Sequence, residues 1–345
     1  MEHKKLKNLR INLIITLLIT TCSFVVLDFF NINIIRNDEG KFSKRSCEKG
    51  YSYINPRFAC GYENKIDKKG YSELKLKLEA LIEDKKSQKK AETVAVWFRD
   101  LEGGPTFGIN EQIDFIPASL LKLPLVMTFF EIAENNPDIL EETIMYSDLT
   151  HPVLNQEFIP DSKLIKNTAY KIEDLMSYSI AYSDNVSAQL LYEYLIKEGK
   201  NDLMLQTYRN LGIIDPGTDI AKVVVNTKEY SSIFRMLYNV SYLDRHGSEK
   251  LLSFLGRSTF RNGLRVGVPE HITITHKFGE RFSDDGVREL HDCGIIYFPE
   301  NPYQLCVMTL GWDYNDLSGV IGEISKEVYL EFDSRRWGGV LKESR

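Results

Sequence analysis

Apolar positions fall into stretches with different periods. Residues 11–27 form one continuous run without a charge, with Asn12 as its strongly polar member, and after Asp28 the stretch 29–35 is again mostly apolar. About 20 such residues cross a bilayer, so residues 1–36 are read as a membrane anchor. Residues 37–69 are polar and rich in Lys, Asn and Gly, which reads as a tether. From 71 to 90, Leu74, Leu76, Leu78, Leu81 and Ile82 recur among Lys and Glu, the pattern of an amphipathic helix. Residues 93–98 are β-like, Gly103-Gly104-Pro105 makes a turn, and 106–109 complete a hairpin. From 117 to about 255 the pattern is mainly helical, broken at Asn136-Pro137, His151-Pro152, Pro160-Asp161 and Asp215-Pro216-Gly217. Strand patterns return at 271–277, 290–298 and 303–311. Residues 317–332 close as an amphipathic helix offering Val320, Ile321, Ile324, Val328 and Leu330 for burial.

Strands and helices at both ends of the body enclose a helical block. This order predicts an α+β fold in which one antiparallel sheet is covered by terminal helices and carries an inserted helical lobe. The catalytic body is expected over 70–335, with 336–345 as a tail and the site in the cleft between lobes.

Charge adds topology. The first ten residues hold Lys4, Lys5, Lys7 and Arg10 against Glu2, a balance of +3, and the other 39 basic and 48 acidic residues sum to −9. An acidic body argues against nucleic acid as a partner. A basic end before an apolar run stays in the cytoplasm, which implies a single-pass protein of the cell membrane with its body outside. A cleaved signal peptide and a lipoprotein are the alternatives. The run lacks a small-x-small cleavage site, and Thr21 is a poor residue before Cys22. Cys47 and Cys60 flank a short loop, and Cys293 and Cys306 sit on β-like runs around Pro299-Glu300-Asn301-Pro302. Each pair is either a bridge, as exported proteins permit, or two thiols.

Three segments carry candidate chemistry. Residues 116–130 read IPASLLKLPLVMTFF, with Lys122 as the only charge. Apolar on all sides, this is a helix for the centre of a fold, and Pro124 is harmless in a first turn. Ser119 and Lys122, three apart, share one face. Desolvation lowers a lysine's pKa, and a neutral amine beside a hydroxyl makes that hydroxyl a nucleophile. The second segment is Ser183-Asp184-Asn185, at a junction between two helical patterns. There it offers a hydroxyl and an amide to a cleft. The third is Lys277-Phe278-Gly279 at a strand end, where Lys277 supplies positive charge and Gly279 allows close backbone approach.

Each segment alone is common. Their order, Ser-x-x-Lys, then Ser-Asp-Asn, then Lys-x-Gly, resembles the penicillin-recognising serine hydrolases, closest to class A β-lactamases and their relatives. The resemblance covers about 71–332. It implies that Ser119 is the acylated nucleophile and Lys122 its base, that Ser183 relays a proton and that Asn185 binds substrate. It implies that Asp184 organises the loop, that Lys277 and Gly279 form the third motif, and that the amides of Ser119 and Glu280 form an oxyanion hole. The implied substrates are β-lactams or peptidoglycan-like peptides, with no cofactor.

Two departures matter. Phe278 stands where the family has Thr or Ser to grip a substrate carboxylate. No Glu-x-x-Leu-Asn run follows Ser183; the equivalent loop, near 212–224, has only Asp215 and Asp219 as acids. These departures raise a slowly deacylating cell-wall D,D-peptidase or transpeptidase as an alternative, and a catalytically silent binding module as another. A metal site is not expected, because His271 and His276 are five apart on a strand and face opposite sides. His291-Asp292-Cys293 is read as sheet residues facing alternate sides, with His291 at the cleft rim.

Overall fold

The computed structural model describes residues 51–55, 70–147, 149–150, 153, 156–159, 162–215 and 222–343, with side chains to 335. The anchor segment and the Cys47–Cys60 pair lie outside them. Among the described residues no helix is long and apolar enough to cross a membrane.

Helix α1 (Ser72–Ser87) leads into the hairpin β1 (Thr93–Asp100) and β2 (Thr106–Ile109). A 3-10 turn, Ala118–Leu121, opens α2 (Lys122–Ala133). A small hairpin, β3 (Thr143–Met145) and β4 (Ala169–Lys171), precedes α3 (Ile172–Ala181), α4 (Asn185–Lys197), α5 (Asn201–Asn210), α6 (Thr227–Tyr238) and α7 (Arg245–Gly256). The chain then adds β5 (Ile274–Phe282), β6 (Arg288–Ile296) and β7 (Tyr303–Gly311), and finishes in α8 (Tyr314–Glu343). The main sheet has the order β2-β1-β7-β6-β5, with every pair antiparallel.

Side-chain alternation explains the layering. In β1, Val94, Val96 and Phe98 point to one core, together with Leu74, Leu78 and Ile82 of α1 and Leu317, Val320, Ile321, Ile324 and Val328 of α8. Ala95 points to the other core, which holds the helical lobe. In α1 the i, i+4 triplet Leu74, Leu78, Ile82 is buried, while Leu76 is exposed on the far side. Each such leucine contributes about 1.5–3 kcal/mol by leaving water. Nine consecutive residues of α2, from Lys122 to Phe130, are buried, as the unbroken apolar run predicts. Pro124 occupies the first turn, where its missing N–H leaves no bond unmade.

The structure corrects the sequence reading in four places. The block from 117 to 255 contains the β3–β4 hairpin besides helices. Strand β5 starts at Ile274 and runs on to Phe282, so Lys277-Phe278-Gly279 lies mid-strand. It extends because the reversal comes later, at 283–287, where Gly286 takes a φ of +88° and Ser283 N donates to Val287 O. His271 therefore precedes the strand. Helix α8 begins at Tyr314, since the Asp313 carboxylate accepts the Asn315 and Asp316 amides at 2.8 and 3.1 Å. It continues to Glu343, through the segment read as a tail.

Cys293 and Cys306 are directly opposed in the β6–β7 register, are fully buried and form a disulfide. Of the two readings of this pair, the bridge is the one present.

Candidate active site

Ser119 sits in the 3-10 turn just before α2, not within the α-helix itself. The residue before it, Ala118, has a φ of +48°, a left-handed conformation that costs a non-glycine residue on the order of 1–3 kcal/mol and persists only when its surroundings over-determine it. They do so here from several elements. Phe115 and Val225 exchange two backbone hydrogen bonds of 2.9 Å each. The Ile116 amide donates to Glu289 Oε2 at 2.9 Å, and His291 Nε2 donates to Ile116 O at 3.1 Å. A carbonyl only accepts, so this contact fixes the proton on Nε2. Tyr230 OH donates to Leu120 O and Tyr208 OH to Leu121 O, both at 3.0 Å. His291, expected at the rim, is instead fully buried and holds the turn from the sheet side.

Lys122, one 3-10 turn after Ser119, enters a buried polar knot. Its Nζ donates to Asn185 Oδ1 at 2.6 Å, to Ser183 Oγ at 3.2 Å and to Ser183 O. Ser183 accepts these from the α3–α4 junction, where its φ is +53°. Asp184 fixes that junction as the N-cap of α4, taking the Ser187 amide at 2.6 Å. Lys277 reaches the same hydroxyl from β5, with Nζ 2.8 Å from Ser183 Oγ and 2.8 Å from Phe278 O. Ser183 Oγ is thus the link between two buried amines. Burial pulls Lys122 down to about 7, against the opposing charges of Asp184 and Glu280. Burial holds Lys277 well below the usual lysine range, and the Lys122 charge adds to the effect. Ser119 is partly exposed, and among the described residues its hydroxyl has no hydrogen-bond partner.

Strand alternation divides the third motif between two faces of β5. On one, Gly279 meets the Ser119 turn: a Cβ there would lie 2.7 Å from Pro117 O and 3.2 Å from Leu120 N. The glycine is therefore required by the packing of the nucleophile's own turn. On the other, Phe278 stacks on Phe260 with centroids 4.1 Å apart. Glu280 is half-buried on that face, and its carboxylate accepts the Glu157 and Phe158 amides. The Lys277 ammonium curls to 4.6 Å from the Phe278 ring centroid, a cation–π contact where a hydroxyl was expected.

All seven predicted site residues therefore fall on three adjoining segments: the Ser119 turn, the α3–α4 junction and β5. The sequence reading missed the supports, Tyr208, Tyr230, Glu289 and His291, and also Gln156, whose Nε2 donates to Ser183 O at 2.9 Å. It also missed a buried pair, His276 Nδ1 to Asp292 Oδ1 at 2.9 Å. A polar residue inside an otherwise apolar strand or helix was the available signal. The string His291-Asp292-Cys293 does alternate as expected, toward the Ser119 turn, His276 and Cys306 in turn. No cluster of metal-ligating side chains occurs among the described residues.

The family model of the beta-lactamase enzyme family matches residues 73–332. The chain belongs to the beta-lactamase enzyme family. A β-lactamase of Bacteroides uniformis is 24% identical over 280 residues, covering 75% of this chain and 90% of that protein. Among solved structures, a class A β-lactamase from Mycobacterium abscessus superposes with a TM-score of 0.62 at 23% identity, covering 75% of this chain and 99% of that one. A class A representative from Bacteroides cellulosilyticus gives 0.62 at 21%, covering 76% and 99%. PBP-A gives 0.61 at 19%, covering 78% and 99%. The β-lactamase fold thus accounts for the body, and the chain is a class A-like serine hydrolase of that family. In this β-lactamase-family site a cavity of about 250 Å³ adjoins Lys122 and Asn185, walled by Leu125, Gln189, Tyr192 and Tyr208 among others. No described carboxylate lines it. Asp219 of the loop read as equivalent to the family's deacylating loop lies outside the described residues.

Proposed function

We propose that this enzyme acts outside the cytoplasmic membrane as a serine acyl-transferase to water, on β-lactams or related amides. The observation that carries the reading is Ser183 Oγ, held between Lys122 and Lys277 beside a partly exposed Ser119. Ser119 Oγ forms a bond to the substrate carbonyl carbon, and the neutral Lys122 amine takes its proton. The carbonyl electron pair moves to oxygen, where the Ser119 and Glu280 amides receive it. Collapse breaks the carbon–nitrogen bond, and the leaving nitrogen takes the Ser183 proton, which the lysines replace. Asn185 and Lys277 bind the substrate's amide and anionic group. Water then cleaves the ester and restores Ser119.

A second reading, a cell-wall D,D-peptidase or transpeptidase with slow deacylation, is favoured by the cavity beside Lys122, where no carboxylate among the described residues stands ready to activate water. The experiment is to follow a fluorescent penicillin on Ser119 of the full-length protein. Rapid turnover marks a β-lactamase, and a label persisting for minutes to hours marks the slow reading. Absence of label, with Ser119→Ala equal to wild type on peptide substrates, overturns both.

The basic leader and the apolar run 11–27 support the location outside the membrane. The Cys293–Cys306 disulfide supports it, since such bonds persist in oxidising compartments. Mass spectrometry of the mature N-terminus tests the anchor, and a start at residue 22 or later removes it.

A further inference from the structure

Gln156, Glu157 and Phe158 bridge the α3–α4 junction and strand β5, the two elements that carry Ser183 and Lys277. On the helical side Gln156 Nε2 donates to Ser183 O at 2.9 Å. On the strand side the Glu280 carboxylate accepts the Glu157 amide at 3.1 Å and the Phe158 amide at 3.3 Å. The Phe158 ring stands edge-on to Phe260, Phe278 and Tyr314, with centroids 5.0, 5.9 and 5.7 Å away. Phe278 and Glu280 share one face of β5, so one strand face holds both the ring and the backbone of Phe158. A carboxylate accepting adjacent amides makes charge-assisted bonds, stronger than neutral ones. Burial pushes the Glu280 carboxyl up, and these two amides pull it back.

We propose that Glu280 is a positioning residue whose carboxylate ties this segment over the cleft, seating Phe158 as a removable plug that admits compact acyl donors and slows bulky ones. The inference rests on the acyl-transfer reading, in which the backbone amide of the same Glu280 receives the oxyanion. A substrate carbonyl bound there lies within one side-chain length of the tie. A large substituent on it meets the Phe158 ring, and to pass must break the ring contacts and both hydrogen bonds to the Glu280 carboxylate. Compact substrates reach Ser119 beneath the segment.

The test uses full-length protein and two probes, a penicillin carrying a bulky dye amide and 6-aminopenicillanic acid, which carries no acyl side chain. The quantity compared is the ratio of their acylation rate constants. Phe158→Ala is expected to raise the bulky-to-compact ratio about tenfold, the scale on which apolar pocket contacts discriminate. Glu280→Ala is expected to raise it similarly, and Glu280→Gln, which keeps one acceptor oxygen, to raise it less. Hydrogen exchange at the Glu157 and Phe158 amides should quicken in Glu280→Ala and stay slow in Glu280→Gln. An unchanged ratio in Phe158→Ala, or unchanged amide exchange in Glu280→Ala, overturns the proposal. If neither probe labels Ser119, the acyl-transfer reading fails and the size filter with it, whereas the exchange result still decides whether the tie exists.

Discussion

Two segments pack on opposite faces of β5 and are held in opposite ways. The turn carrying Ser119 is anchored through its backbone: Phe115, Ile116, Leu120 and Leu121 are bonded by Val225, Glu289, His291, Tyr230 and Tyr208, most of them buried. Among the described residues, the segment Gln156–Phe158 is held by the Glu280 carboxylate, by the Gln156 side chain and by the edge contacts of the Phe158 ring. Position is therefore invested in the nucleophile, where misplacement by 1 Å costs about 100-fold in rate. On the proposal above, the segment over β5 is the one that yields. Fixing a strained Ala118 needs many partners, whereas releasing a loop must not.

Perturbations should separate the two segments by size of effect. Ser119→Ala is expected to lower acylation by about 10⁴-fold or more without lowering the melting temperature, since the hydroxyl lost has no partner among the described residues. Labelling with fluorescent penicillin and a thermal melt check it together. Gly279→Ala forces a Cβ to within 2.7 Å of Pro117 O. It should cost about 1–3 kcal/mol of stability, as overpacking does, and displace Ser119 enough to cut acylation by about 100-fold. A normal rate in a folded Gly279→Ala protein would mean that the turn is less constrained than its contacts imply.

Next comes Tyr230→Phe, which leaves Leu120 O buried without its donor. About 1–2 kcal/mol of stability and about tenfold in acylation are expected to go together. The pH profile follows. Lys122 must be neutral to take the Ser119 proton, and burial places its pKa at about 7, below the usual lysine value. The neutral fraction grows as pH rises, so the acylation rate should climb about tenfold per unit below pH 7 and level off above it. A flat profile from pH 5 to 8 would remove Lys122 as the titrating base. Smallest is Gln156→Ala on the yielding side, expected to change the acylation rate by a compact β-lactam about twofold or less, because it removes one tether from a segment that such a substrate need not displace.

The same contrast explains what was legible in the sequence. Periodicity located β1, β2, β7 and most of α1 and α8, because each buries a regular stripe of Val, Leu, Ile and Phe on one face. The chemical residues were legible because short spacings within one turn or one strand fix their relative placement. The supports were not. Tyr230 lies 111 positions beyond Ser119, and Glu289 and His291 lie still further, so only the folded sheet brings them under the turn. Strand β5 ran past its predicted end for a related reason. Pairing with β6 continues until the glycine turn at 286, whereas the local pattern weakens at Lys277. The meaning of Phe278 was equally hidden. Its substitution for a hydroxyl was visible, but its stacking partner Phe260 and edge partner Phe158 come from separate loops.

The alternation of β5 bears finally on how such a cleft changes over generations of mutation. Lys277 and Gly279 are tied to Ser183 and to the Ser119 turn, so random change at either is expected to lower activity in most variants. Phe278 and Glu280 border them in sequence yet face Phe158. On the proposed size filter, variation at 278 and 280 is expected to change which substrate shapes are admitted while the contacts of Lys277 and Gly279 stay in place. A diversified library at these two positions, with 277 and 279 held, should contain far more active members than one built on any neighbouring pair.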